Sequence, residues 1–243
     1  MRDAGSDLLP VSSLGGDLMG ARVAVLGGVT PILALASTVV DVTLEVAAQL
    51  LFTLLGLALL AALPLTTVLA GPTLVGLALA APLLAGFVAA QRIGLFLLLE
   101  RFGDRLARRW RWPALAGADG LHAAIGALWR ARGRLAANLA LHLIGWIASS
   151  CEAWLGLLLL GATPGVIAVL VIESLAYALR SAAFVVPGAL GVQEGGYVVL
   201  GPLFGLAPET MLALSLLKRA RDLVMGAPAL LVWQWREARR AAQ

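Results

Sequence analysis

The chain has 243 residues, of which 60% are hydrophobic and only 13% are charged. A soluble domain carries about 25% charged residues, so this composition excludes an ordinary water-soluble fold and points to a polytopic α-helical membrane protein. The formal charge of +4 would suit an anionic partner, but its arginines flank apolar runs, which points to lipid headgroups and excludes nucleic acid. A β-barrel is excluded because the apolar runs are continuous and Leu/Ala-rich, not alternating.

Residues 1–9 are polar and acidic, the wrong charge for the start of a secretory signal. Residues 10–28 are weakly apolar, glycine-rich, and include Asp17 and Arg22. An apolar run follows from Pro31 to residue 63, broken only by Asp41 and Glu45. As one helix it exceeds the roughly 30 Å of a hydrocarbon core, so it is expected to tilt, break or protrude. Residues 73–99 read as the next span, with Pro82 a kink candidate.

Residues 100–134 form a basic connection with Arg101, Arg105, Arg108, Arg109, Arg111, Arg130, Arg132 and Arg134. By the positive-inside rule it is cytoplasmic. Leu121, Ile125, Leu128 and Trp129 recur there at helical spacing, as expected of a helix on the membrane surface or of a plain cytoplasmic helix. Residues 135–161 and 166–186 read as spans carrying Glu152, Glu173 and Arg180, with a Thr163-Pro164-Gly165 turn between them. The last apolar run, Pro208 to Trp235, holds Lys218, Arg219, Arg221 and Asp222 near its middle. Cys151 stands alone, so no disulfide or CxxC motif exists, and it reads as a small packing residue.

An internal repeat is visible at a constant offset of 177 residues, which aligns Pro10 with Pro187, Asp17 with Glu194, Gly28 with Gly205, Pro31 with Pro208, Asp41 with Lys218 and Glu45 with Asp222. The fold expected is therefore all-α: one transmembrane bundle over residues 1–243, with repeat units 10–45 and 187–222. Each unit contains a Gly/Pro-interrupted segment, re-entrant or short-spanning. Such paired interruptions point to a transporter's binding site. Placing Arg236, Arg239 and Arg240 on the side of the basic connection requires residues 10–28 and 188–206 to cross fully, which makes the repeat inverted.

Charged groups at a helix centre cost roughly 2.5–3.5 kcal/mol each on the insertion scale. Asp17, Arg22, Asp41, Glu45, Glu173, Arg180, Glu194, Lys218, Arg219, Arg221 and Asp222 must therefore face the bundle interior, either as ion pairs between helices or as the lining of a polar cavity. Asp41/Glu45 and Lys218/Asp222 share helix faces by their four-residue spacing, and one of Arg219 and Arg221 is expected to snorkel. Gly16, Gly188, Gly191 and Gly195 are candidates for close backbone approach, the last two at GxxxG spacing. No zinc motif, nucleophile elbow or phosphate loop is present, so neither metal nor cofactor nor catalytic residue is expected.

The stretch VPGALGVQEGGYVVLGPLFGLAPETMLALSLLKRARDLVMG resembles the C-terminal signature of the lysylphosphatidylglycerol synthase transmembrane-region, or flippase-like domain, family. LLPVSSLGGDLMGAR is similar to that family's earlier motif. VQEGGYVVLG and LKRARDL look most like the branch associated with hopanoid biosynthesis. The resemblance implies a multi-pass protein of the bacterial inner membrane. It implies that Gly16, Asp17, Arg22, Pro187, Gly188, Gly191, Glu194, Gly195, Arg219 and Asp222 are motif positions. Relatives usually carry further spans before the first motif, which implies a short or truncated form here. The function expected is binding and translocation or delivery of an amphipathic lipid, with membrane lipids as partners. The alternatives are a scaffold that recruits lipid-biosynthetic enzymes through residues 100–134, and a membrane-embedded lipid transferase.

Overall fold

The computed structural model describes residues 13–63, 118–183 and 189–241. Pro10, Pro187, Gly188, the 73–99 span and the arginines between 101 and 111 lie outside these residues. All regular structure among the described residues is helical: α1 (Ser13–Leu26), α2 (Pro31–Ala62), α3 (Ala118–Arg130), α4 (Arg132–Leu159), α5 (Val166–Ala182), α6 (Val192–Leu200), a 3₁₀ turn (Gly201–Phe204) and α7 (Pro208–Ala241).

α2 starts with proline in its first turn, where the missing N–H costs nothing. It runs unbroken for 32 residues, roughly 48 Å. Its buried face carries small residues, Ala34, Ala36, Ala48 and Gly56, which let neighbouring backbones approach where no water is available to drive association. A Cβ on Gly56 would collide with the Ser174 side chain of α5.

Three helix ends stop in the same way. Gly28, Gly161 and Gly205 have φ of +96°, +81° and +75°. The residue after each donates its N–H five residues back: Val29 to Ala24 O, Ala162 to Leu157 O and Leu206 to Gly201 O. These are Schellman-type ends, which need a left-handed residue and so favour glycine. Gly28 and Gly205 each stand three residues before the proline that opens a long helix, α2 and α7.

Helix directions follow from their contacts. α4 parallels α2, since Asp41 meets Asn138 and His142, and Phe52 stacks on Trp146 at 6.0 Å. α5 is antiparallel to α2, with Gln49 bonded to the Tyr177 carbonyl at 3.2 Å and Gly56 against Ser174. α7 is antiparallel to α4: Gly156 lies near Leu214 and Leu217, Ser149 near Lys218, and Glu152 near Arg221. The start of α4, with Arg132 and Arg134, and the end of α7 therefore share one end of the bundle.

α6 runs back between α5 and α7, with Gly196 against Leu179 at 3.3 Å and Gly201 against Met211. Its nine residues and the 3₁₀ turn rise together only about 21 Å. α6 and its 3₁₀ turn thus form a short return, ended by Gly205, antiparallel to both α5 and α7. α1, with 14 residues, also rises roughly 21 Å.

The core joins Ala153, Leu157, Val169, Ile172, Tyr197, Met211 and Leu214 from α4, α5, α6 and α7. The outer faces are apolar, with Leu141 67% and Leu159 78% exposed. Cys151 is exposed as well, not packed as its size suggested. α3 packs along α2, with Gly120 at 3.4 Å from Ile32, and leaves Trp129 exposed. The α2 and α4 helices are long and apolar enough to cross a membrane.

Candidate functional site

The polar residues gather where α7 meets α4, α5 and α6. Glu173 and Lys218 form the centre, with side chains 0% and 4% exposed. Lys218 Nζ donates to Glu173 Oε2 at 2.5 Å. Tyr197 donates its phenol proton to Glu173 Oε1, also at 2.5 Å. Ser149 Oγ lies 3.4 Å from Oε2 as a donor, accepts from Lys218 at 3.3 Å, and meets Tyr177 OH at 3.0 Å. The ammonium also lies 5.2 Å from the Tyr177 ring centre and 5.8 Å from that of Tyr197, within cation–π range. A buried ion pair is tolerated only with such satisfaction of its remaining lone pairs and protons.

Arg219 Nε and Nη2 both reach Glu194 Oε1, at 2.9 and 2.7 Å. Glu194 is the third residue of α6, and its Oε2 accepts the N–H of Gly191 at 2.8 Å, closing that helix end. Gly191 is required there by its φ of +80°. Arg221 pairs with Glu152 of α4 and with Asp222, the latter at 2.6 Å. Arg180 donates to Gln193 at 3.1 Å. Residues 218–222 of α7 thus tie three helices through three sets of ion pairs.

A second polar group lies along α4. Asp41 Oδ1 accepts from Asn138 at 2.9 Å and meets His142 Nε2 at 3.1 Å. Asn138, His142, Trp146, Ser149 and Glu152 follow one another at spacings of three or four, so both polar groups sit on one stripe of α4. Trp146 separates them, stacked on Phe52 and edge-on to Tyr177 at 4.7 Å. Glu45 lies half-buried one turn beyond Asp41, and Asp17 and Gly16 are buried on α1 with Arg22 half-buried.

The structure thus joins Glu173, Lys218, Glu194, Arg219, Arg221, Asp222 and Arg180, and keeps Asp41 apart. Lys218 takes Glu173 of α5 as its partner, and Asp222 takes the neighbouring Arg221. Arg219 and Arg221 each have a carboxylate within reach. One expectation needs correction: Gly191 and Gly195 make no close helix contact, since a Cβ at either meets nothing within 4 Å, whereas Gly196 is the position packed on α5.

Sequence reasoning missed Tyr177, Tyr197, Ser149 and Gln193, which are uncharged and carry no insertion penalty large enough to notice. One signal was present: the chain has only two tyrosines, and both serve the buried pair. Ser215, one turn before Lys218 on the same face, is buried with no hydrogen-bond partner for Oγ among the described residues. No group of metal-binding side chains occurs among the described residues.

The family model described as "Lysylphosphatidylglycerol synthase TM region" matches residues 1–229. No curated protein and no solved structure matches the chain.

Proposed function

Because the chain belongs to the lysylphosphatidylglycerol synthase transmembrane-region family, membrane proteins involved in lipid handling, we propose that it binds an amphipathic lipid and moves or delivers it, without covalent chemistry. The observation that carries this reading is the concentration of charge on one short stretch of α7: Lys218, Arg219 and Arg221 face carboxylates on three different helices, and Asp222 adds a second partner for Arg221. Fastening helices needs fewer charges than this, and intramembrane ionisable groups mark substrate paths.

The repeat belongs to the same proposal. Units 10–45 and 187–222 are read as an inverted pair. In support, α2 and α7 run in opposite directions, and each follows a shorter helix and a left-handed glycine. Inverted repeats with broken segments are the usual frame for alternating access. The shared end of α4 and α7, rich in arginine, is read as cytoplasmic in a bacterial inner membrane. The resemblance of VQEGGYVVLG and LKRARDL to the hopanoid-associated branch makes a hopanoid or its precursor the first lipid to test.

The test is translocation of a labelled lipid in vesicles containing the purified chain, with Glu194→Gln as the variant. Loss of translocation with unchanged folding supports the reading. Full activity of that variant refutes it. Mass spectrometry of lipids that copurify identifies the substrate.

A further inference from the structure

We infer that Glu173 is a proton-binding site, loaded when an anionic headgroup takes Lys218 away from it. This rests on the lipid-binding reading above and adds the ion that accompanies the lipid.

Among the described residues around the centre, Glu152, Glu173, Glu194 and Asp222 stand against Arg180, Lys218, Arg219 and Arg221, which leaves no net charge among them. Arg219 is held by Glu194 from α6, Arg221 by Glu152 from α4 and by Asp222, and Arg180 by Gln193. Asp41, on α2, binds Asn138 and His142 one polar group away, and Glu45 follows it on α2. A phosphate-bearing headgroup that reaches the buried Glu173–Lys218 pair of this balanced cluster brings one uncompensated negative charge. A nearby like charge favours the protonated form of a carboxylate, most strongly where water is absent. Glu173 is the buried carboxylate here whose one ammonium partner is also the cation the headgroup would take.

The hydrogen bonds supply a route. Tyr177 OH can donate to Ser149 Oγ at 3.0 Å, and Ser149 to Glu173 Oε2 at 3.4 Å. In the loading step an O–H bond forms on Oε2 as Ser149 releases its proton. Ser149 is reprotonated by Tyr177, and Tyr177 by solvent. The net change is one proton taken up by one carboxylate, with no redox partner. Tyr197 keeps its bond to Oε1 throughout, so the neutral acid remains satisfied. Lys218 stays protonated and pairs with the phosphate. Ser215, buried without a partner one turn away, offers that phosphate a hydroxyl.

The test uses the full chain in detergent micelles with short-chain phosphatidylglycerol as the probe, whose phosphodiester keeps one charge between about pH 6 and 8. Affinity should fall about tenfold for each unit rise in pH, the slope for one linked proton. Probe addition should also give net proton uptake. Glu173→Gln should bind with a flat pH profile and no uptake. His142→Phe, which alters the separate polar group around Asp41, should keep the slope. A flat wild-type profile, the same slope in Glu173→Gln, or no binding of the probe overturns the inference. If the glutamine variant does not fold, infrared difference spectra of the wild type decide. A carboxylic acid carbonyl band on probe addition supports the site, and its absence overturns it. Proton-linked binding without translocation removes the transport reading alone, while translocation with pH-independent binding removes this one alone.

Discussion

Replacing Lys218 by methionine separates a buried ion pair from ordinary packing. Methionine fills nearly the same volume, so the change is mainly electrostatic. Among the described residues it leaves the Glu173 carboxylate, 0% exposed, with Tyr197 and Ser149 as its donors. Removing one partner of a buried pair costs about 3–5 kcal/mol. Removing a neutral interhelical hydrogen bond inside a membrane costs about 0.6 kcal/mol on average. Lys218→Met should therefore destabilise by several times more than Ser149→Ala. The double variant Glu173→Gln/Lys218→Met removes the charge as well as its partner and should recover most of the loss. Unfolding by denaturing detergent, followed by tryptophan fluorescence, measures all three. A single variant no worse than Ser149→Ala, or a double variant as unstable as the single one, would refute the claim that an unpaired charge sets the cost.

Other outcomes follow from the backbone and packing. Gly195→Ala fills open space on a helix and should stabilise by about 0.5–1 kcal/mol, whereas Gly196→Ala presses on Leu179 and should not. Gly56→Ala should destabilise by about 1–3 kcal/mol through overpacking on Ser174, and Gly56→Ala/Ser174→Gly should recover part of it; thermal unfolding of both reports this. Gly205→Ala forces a Cβ into the left-handed region and should cost about 1–2 kcal/mol by the same measurement, with the α6–α7 turn loosened in hydrogen exchange.

The sequence alone determined the helical membrane class, the positions of the long helices and their proline starts. These follow from composition and from local rules about proline, glycine and apolar runs, which hold whatever the neighbours are. It also aligned Gly28 with Gly205, and the structure gives each a left-handed φ three residues before a helix-opening proline. It required the charged residues to face inward, since lipid cannot solvate them. Only the tertiary structure decided who meets whom. Glu173 finds Lys218 across 45 residues of sequence, and Glu152 finds Arg221, because α4, α5 and α7 pack in particular directions. Tyr177, Tyr197 and Ser149 gain their roles only there, as uncharged side chains acquire meaning from the charge they touch. The short rise of α6 was likewise decided by packing: its end at Gly205 and its contacts with α5 and α7 make residues 192–204 a brief antiparallel return that brings Glu194 and Tyr197 to the centre.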